Sequence, residues 1–281
     1  MILIAESGGT KTNWCAVSGS EETGIVPTIG LNPNFVSKET IREVVSLEVL
    51  PALSNPTVDE VWFYGAGCAG KAMLLKVAEA VSSALPGVKV NVNSDLTGAA
   101  RGLLGNRAGY ICMIGTGSNS GYYDGKNIKA NVPPLGFILG DEGSGAALGK
   151  KLIADFLRGI MPEVLADEFR AIYGAEKDEI VSNVYRGVFP SRYIGGFVKF
   201  LNDHIGESYC RELVETSFGE FVQRNLTPRP EAPTSELQAQ NGIAYAVFCL
   251  KKKVFKKHGF VISSVSQGPI EGLIRYHKEN L

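Results

Sequence analysis

Two stretches of the chain place small hydroxyl residues among glycines just after an apolar run. One is Ser7-Gly8-Gly9-Thr10-Lys11-Thr12, following Ile2–Ala5; the other is Gly115-Thr116-Gly117-Ser118, following Tyr110–Ile114. Turns of this composition expose consecutive backbone N–H groups with no Cβ to screen them, and the hydroxyls and the Lys11 ammonium add donors. The chemistry they suit is anion capture. Two such turns in equivalent places favour phosphates held from both sides of a cleft over a pair of ordinary hairpin turns. Two carboxylates join them. Asp95, in Val92-Asn93-Ser94-Asp95-Leu96-Thr97-Gly98, either caps a helix or takes a proton from a substrate hydroxyl. Asp141, in Gly140-Asp141-Glu142-Gly143-Ser144, faces the positive end of a helix dipole, where it either caps or accepts hydrogen bonds from substrate hydroxyls.

Other motifs compete with this reading. Gly65-Ala66-Gly67-Cys68-Ala69-Gly70 reads GxGxxG after a strand and before a helix, with Asp95 ending the next strand. That is the spacing of a dinucleotide fingerprint and would suit an NAD(P)-dependent oxidoreductase. The three strands ahead of it argue against that, because the fingerprint belongs to the first β-α unit of a dinucleotide fold. Gly143–Lys151 fails as a P-loop, since Lys151 stands where Ser or Thr is needed. The basic run Lys251–Lys257 is broken by Val254 and Phe255 at helical spacing and reads as a solvated helix face.

The elements that must position these residues repeat. Apolar runs at Ile2–Ala5, Trp14–Val17 and Gly24–Ile29 predict a three-stranded meander. A helix over Lys38–Leu50 stopped by Pro51, a strand at Val61–Tyr64, a helix over Lys71–Leu85, a strand at Val88–Val92 and a helix over Leu96–Leu104 follow. The order restarts with a strand at Tyr110–Ile114, a hairpin turning at Asp124-Gly125 and a helix over Glu142–Leu157. A mostly helical stretch and a Pro-rich connector, Thr227–Pro233, precede a strand near Leu237–Gln240, a helix over Ala244–Lys257, a strand at Phe260–Val265 and a helix over Pro269–Asn280. The expected fold is therefore α/β, one βββαβαβα unit used twice. The N-terminal lobe spans residues 1–105 and the C-terminal lobe 106–281, with a helical insertion at about 160–225. Small ligands bind in clefts between such lobes.

Composition narrows the class. Lys+Arg 28 against Asp+Glu 29 leaves no basic footprint for nucleic acid. No run of 18 or more apolar residues exists to span a membrane, and the N-terminus reaches Glu6 without the basic region of a signal peptide. Cys15, Cys68, Cys112, Cys210 and Cys249 are widely spaced without a CxxC pair and read as reduced thiols of a cytoplasmic protein. Glycine is in excess, 33 of 281 residues, about 12% against about 7% on average, and the excess is concentrated in the motifs above.

The order Glu6–Thr12, Gly30-Leu31-Asn32-Pro33, Ser94–Ala100, Gly115–Asn119, Leu139–Ser144 resembles the N-acetylglucosamine kinases. These belong to the actin-like, hexokinase and sugar-kinase ATPase superfamily, in a family shared with dehydratase activators. The resemblance implies a two-lobed actin-like ATPase fold built from duplicated ribonuclease H-like domains. It further implies ATP-dependent phosphorylation of an amino sugar, with ATP and Mg²⁺ as cofactors and a homodimer as the assembly. Residue by residue, Gly8, Gly9, Thr10, Lys11 and Thr12 with Gly115, Thr116 and Gly117 would bind the ATP phosphates. Asn241 and Gly242 stand where the family has a Gly-Ser turn beside the adenosine. Asn32, Asp95, Ser118, Asn119, Gly136 and Asp141 would line the sugar site, Asp95 being the base for the 6-hydroxyl, and Glu6 would hold Mg²⁺ through water. Leu135 stands where acetamidosugar kinases carry an aromatic residue. No cysteine pair matches the iron–sulfur ligands of the dehydratase activators. The rival on the same fold is an ATP-hydrolysing regulator or activator.

Overall fold

The computed structural model spans Met1–Leu281 and describes every residue except 175, 227–235, 242–244, 267 and 281, and every side chain except those and residues 236–241 and 245–250. The chain divides into two units. The first comprises Met1–Gly109, Tyr123–Lys129 and Gly268–Leu281; the second comprises Tyr110–Tyr122 and Ala130–Gln267.

The first unit opens with β1 (Ile2–Ser7), β2 (Lys11–Ser18), β3 (Glu21–Glu22) and β4 (Val26–Ile29), so a two-residue strand precedes the expected third. The helix expected to stop at Pro51 does not stop there. α1 (Lys38–Glu43) passes through a π-helical stretch, Val44–Val49, into α2 (Leu50–Ala52). The Leu50 amide reaches back to the Val45 carbonyl. Pro51, which has no N–H to place, falls in the first turn of the next segment, where proline is tolerated. β5 (Glu60–Gly65), α3 (Lys71–Ala84), β6 (Lys89–Ser94) and α4 (Asp95–Leu104) complete the pattern. The sheet order is β3-β2-β1-β5-β6, with β4 also on β2. β1 pairs antiparallel with β2 and parallel with β5.

The order then repeats with β7 (Gly109–Ile114), β8 (Ser118–Tyr123) and β9 (Ile128–Asn131), the hairpin end at Tyr123–Lys129 belonging to the first unit. Asp124-Gly125 makes the β8–β9 turn, the Asp124 carboxylate accepting the Lys126 and Asn127 amides at 2.8 and 2.7 Å. A one-turn α5 (Gly136–Leu139) precedes α6 (Gly145–Leu157), which starts three residues later than expected. The insertion is helical: α7 (Glu163–Tyr173), α8 (Lys177–Arg186), α9 (Pro190–Gly196), α10 (Val198–Asp203) and α11 (Ser208–Phe221), with a π-helical end at Val222–Leu226. β10 (Glu236–Asn241), α12 (Tyr245–Lys257) and β11 (Val261–Ser266) follow, in a sheet ordered β11-β10-β7-β8-β9. In both sheets the first strand is central, a hairpin partner lies on one side and parallel strands on the other. That is the duplicated ribonuclease H-like arrangement the sequence predicts. The last helix, α13 (Ile270–Glu279), packs in the first unit.

Period-two burial sets the first core. Leu3, Ala5, Trp14 and Ala16 point to the layer that holds Ile41, Val45, Val77 and Val81. Ile2, Ile4, Cys15 and Val17 point to the other face, against Ile270, Leu273 and Ile274 of α13. The second unit's core joins Cys112 and Ile114 of β7 to Leu148, Leu152 and an aromatic cluster around Phe169, Phe200 and Phe218. Cys15, Cys68, Cys112 and Cys210 are buried, and none of the four is in a disulfide. Among the described residues, no helix is long and apolar enough to cross a membrane.

α4 reaches α13 through two glycines. A Cβ on Gly272 would lie 2.0 Å from the Gly102 carbonyl oxygen. Beside this crossing Arg101 donates to the Tyr64 hydroxyl at 2.8 Å, and Tyr64 lies 2.9 Å from His277 Nε2. Burial pushes the His277 imidazole down to about 4, which keeps the ring neutral beside the Tyr64 hydroxyl. Gly272→Ala is therefore expected to destabilise by about 1–3 kcal/mol, because backbone cannot yield as a side chain does. Gly206→Ala, with nothing within 4 Å of its would-be Cβ, should change stability by less than about 0.5 kcal/mol. Urea denaturation of both variants measures the contrast.

Candidate active site

In the first unit β1 and β2 close on a three-residue turn, Gly8-Gly9-Thr10, with the Gly8 amide donating to the Lys11 carbonyl at 2.9 Å. Gly9, Thr10 and Lys11 are exposed. Thr12 departs from expectation: it lies within β2, is fully buried, and its hydroxyl is 2.9 Å from both Ser7 Oγ and the Ile29 carbonyl. Its side chain braces the turn from beneath. Gly30 backs the turn from behind, since a Cβ there would come within 2.7–2.8 Å of Gly8 and Gly9 backbone atoms. Sequence reasoning missed this contact, although Gly30 opens the Gly-Leu-Asn-Pro stretch.

Glu6 is half-buried, and its cross-strand neighbour Asn13 donates Nδ2 to Oε2 at 2.9 Å. Asn13 was also missed; pairing residues outward from the turn would have found it. Burial pushes the Glu6 carboxyl up, the Asn13 hydrogen bond and Lys11 pull it back, and the charge of Asp95 raises it further. Asp95 does not cap α4. Ser94 does, accepting the Thr97 amide at 3.2 Å. Asp95 is the first residue of the helix, and its Oδ1 accepts the adjacent Leu96 amide at 2.8 Å. Asn32 is half-buried, its Oδ1 accepting the Asn34 amide at 3.0 Å.

The second unit builds the counterpart. The Gly115 amide donates to the Gly117 carbonyl at 2.9 Å, while the first amides of α6, on Gly145 and Ala146, donate to the carbonyls of Gly115 and Thr116 at 2.8 and 3.0 Å. Asp141 lies in this turn's shadow. Its backbone is left-handed, φ +58°, a conformation that costs most side chains about 1 kcal/mol or more. This places its carboxylate against Gly117, where a Cβ would be 3.0 Å from Oδ2, and under the Ser118 amide at 3.3 Å. Burial raises the Asp141 carboxyl, the Ser118 amide lowers it, Glu142 raises it and Lys150 lowers it. Asp141 and Glu142 are not the helix cap either. Ser144 is, accepting the Ala147 amide at 3.1 Å.

Ser118 Oγ donates to the Glu142 carbonyl at 2.8 Å, closing the strand onto the acidic turn. Asn119 Oδ1 accepts from Asn131 Nδ2 at 2.7 Å and from the Ser120 amide at 2.8 Å. Gly136 opens α5 with φ +73° and is exposed, as is Leu135 before it. Asn241 ends β10 in register with Ile114, at the foot of the Gly115 turn. Gly242 lies outside the described residues.

No protein-family model matches the chain, and a search of curated proteins finds no match. Solved structures do match. One provisionally named an N-acetylglucosamine kinase, from Porphyromonas gingivalis, is 42% identical over 100% of this chain and 99% of its own, with a TM-score of 0.91. Another with that provisional name, from Chromobacterium violaceum, is 17% identical over 98% of each chain, with a TM-score of 0.72. A ROK family glucokinase from Streptomyces griseus, solved with glucose and AMPPNP, is 15% identical over 98% of this chain and 97% of its own, with a TM-score of 0.59. The last two speak to the fold alone, and the fold is that of the actin-like ATPases and sugar kinases. The first goes further: the chain belongs to the N-acetylglucosamine kinase-like family of that superfamily.

Glu6 and Asp141 titrate above their ordinary values of 4.5 and 3.8. A carboxyl raised by folding stabilises the protein while protonated, and that contribution is lost as pH rises through the raised pKa. Glu6→Gln and Asp141→Asn should therefore melt higher than the parent at pH 7. The gain should shrink as pH falls toward 4. Melting curves at both pH values test this, and a lower melting point at pH 7 would refute it.

Proposed function

We propose that the protein is an ATP-dependent kinase transferring a phosphoryl group to a hydroxyl, the 6-hydroxyl, of an amino sugar such as N-acetylglucosamine. One observation carries the reading: Ser94 and Ser144, not Asp95 and Asp141, cap α4 and α6, so neither carboxylate is the helix cap. The P. gingivalis relative supports the sugar class through its provisional name, and the glucokinase with AMPPNP supports a nucleoside triphosphate as donor.

The Gly8–Thr10 and Gly115–Gly117 turns take the phosphates. No hydrogen bond from the Thr116 or Gly117 amide is found among the described residues, so these N–H groups suit anionic oxygens. Lys11 adds a mobile positive charge, and Asn241 with Gly242 contributes beside the adenosine. Glu6 fits Mg²⁺ held through water, because it is a hard oxygen donor whose carboxyl is raised by burial and by the like charge of Asp95. When bound, Mg²⁺ offsets charge on the transferring phosphoryl group. Asn32, Ser118, Asn119, Gly136 and Asp141 contact the sugar, with Asp141 accepting a hydroxyl hydrogen. Asp95 accepts the proton of the attacking hydroxyl as its oxygen bonds to phosphorus. The GxGxxG stretch takes no dinucleotide, because Gly67 is packed onto the Asn32 carboxamide.

A coupled assay of ADP release with Mg²⁺, ATP and a panel of hexoses and N-acylhexosamines tests the reading. ATP hydrolysis indifferent to every sugar would overturn it in favour of a nucleotide-driven regulator. Asp95→Asn should lower turnover by about 10²–10⁴-fold with ATP KM unchanged. Near-parental turnover would remove Asp95 from the chemistry. Asp141→Ala should raise sugar KM, because a buried hydroxyl loses its acceptor.

A further inference from the structure

We infer that Asn34 and Gly67 lock the Asn32 carboxamide so that it offers the sugar hydrogen-bond donors only, which makes Asn34 and Gly67 positioning residues for sugar recognition. The inference rests on the kinase reading above and assigns a role to the GxGxxG loop, which that reading leaves idle.

Asn32 sits in a tight turn. Its carbonyl accepts the Phe35 and Val36 amides at 2.9 and 3.1 Å, and Lys76 of α3 reaches the Pro33 carbonyl at 2.6 Å. The side-chain oxygen is committed as well. It accepts the Asn34 backbone amide at 3.0 Å and Asn34 Nδ2 at 3.1 Å. A backbone N–H can only donate, so the atom facing it is Oδ1, and the orientation of the amide follows. Two donors fill both lone pairs of that oxygen.

The β5–α3 loop closes over the pair. Gly67 has φ +76°, and a Cβ there would lie 2.1 Å from Asn32 Oδ1 and 2.7 Å from both Asn32 Cγ and Asn34 Nδ2. Only a residue without a side chain lets the loop approach this closely, and its backbone then blocks rotation of the amide. The same loop is tied to the phosphate-type turn, the Ala66 amide donating to the Ser7 carbonyl at 2.8 Å. Asn32 Nδ2 points the other way and has no hydrogen-bond partner among the described residues. Its two N–H groups cannot accept. The sugar atom they meet must offer a lone pair, as a hydroxyl oxygen or an acyl carbonyl does.

The test is steady-state kinetics of the full chain with N-acetylglucosamine and ATP, alongside melting curves. Asn32→Asp keeps the shape and the Asn34 contacts but replaces the donor with an acceptor, and sugar KM should rise at least about tenfold. Asn34→Ala should raise sugar KM about three- to tenfold, with ATP KM, kcat and melting temperature little changed. Gly67→Ala should act in the same direction; if it does not fold, the other two decide. Asn32→Asp with a parental sugar KM would overturn the donor assignment. Equal rises in sugar and ATP KM for Asn34→Ala would reduce Asn34 to a general structural role and overturn the positioning claim. A parent that phosphorylates no sugar overturns the kinase reading and this inference with it, a result distinct from the other two.

Discussion

Serine capping is the constraint on which the site depends. Ser37, Ser94 and Ser144 each accept an amide three residues on, at the start of α1, α4 and α6. A helix start leaves amides needing acceptors, and an adjacent carboxylate would ordinarily be drawn into that role. With a hydroxyl already there, neither Asp95 nor Asp141 is the cap, although Asp95 gives one oxygen to the Leu96 amide. The positive end of a helix favours an ionised acid beside it. At Asp141 burial opposes this and prevails.

The turns are held by the same economy of groups. Thr12 and Ser7 supply hydroxyls beneath the first turn, and α6 supplies amides beneath the second. What is left outward is glycine backbone, Thr10, Lys11 and Thr116. Rigid support below is what a preorganised anion site needs, since donors already fixed lose nothing when charge arrives.

Most of this architecture is legible from residue order. Alternating burial of Ile2–Ala5 and Trp14–Val17 follows from strands covered on both faces, and the restart at Tyr110 gives the duplication. Local propensity misleads at particular places. Pro51 reads as a stop, yet a π turn shifts the register and lets the chain continue. Glu142 reads as helical because acids favour first turns, yet Asp141 is left-handed and Ser144 begins the helix. Thr12 reads as a ligand because it stands in a Gly/Thr string, but strand alternation turns it inward. Asn13, Gly30 and Gly67 were invisible for a different reason. Each acts on a partner distant in sequence or across a strand pair, and composition carries no record of such contacts.

The GxGxxG stretch shows why a spacing motif needs its surroundings. In a dinucleotide fold the middle glycine makes room for a pyrophosphate. Here the room beside Gly67 is filled by an asparagine amide. The steric requirement is the same, a backbone that must come close to something polar, and the identity of that something is set by which segment folds back against the loop. The Gly30–Asn34 segment does so, touching the Gly8-Gly9 turn with its first residue and the Gly67 loop with its third. One short stretch therefore lies against both the Gly8-Gly9 turn and the Gly67 loop.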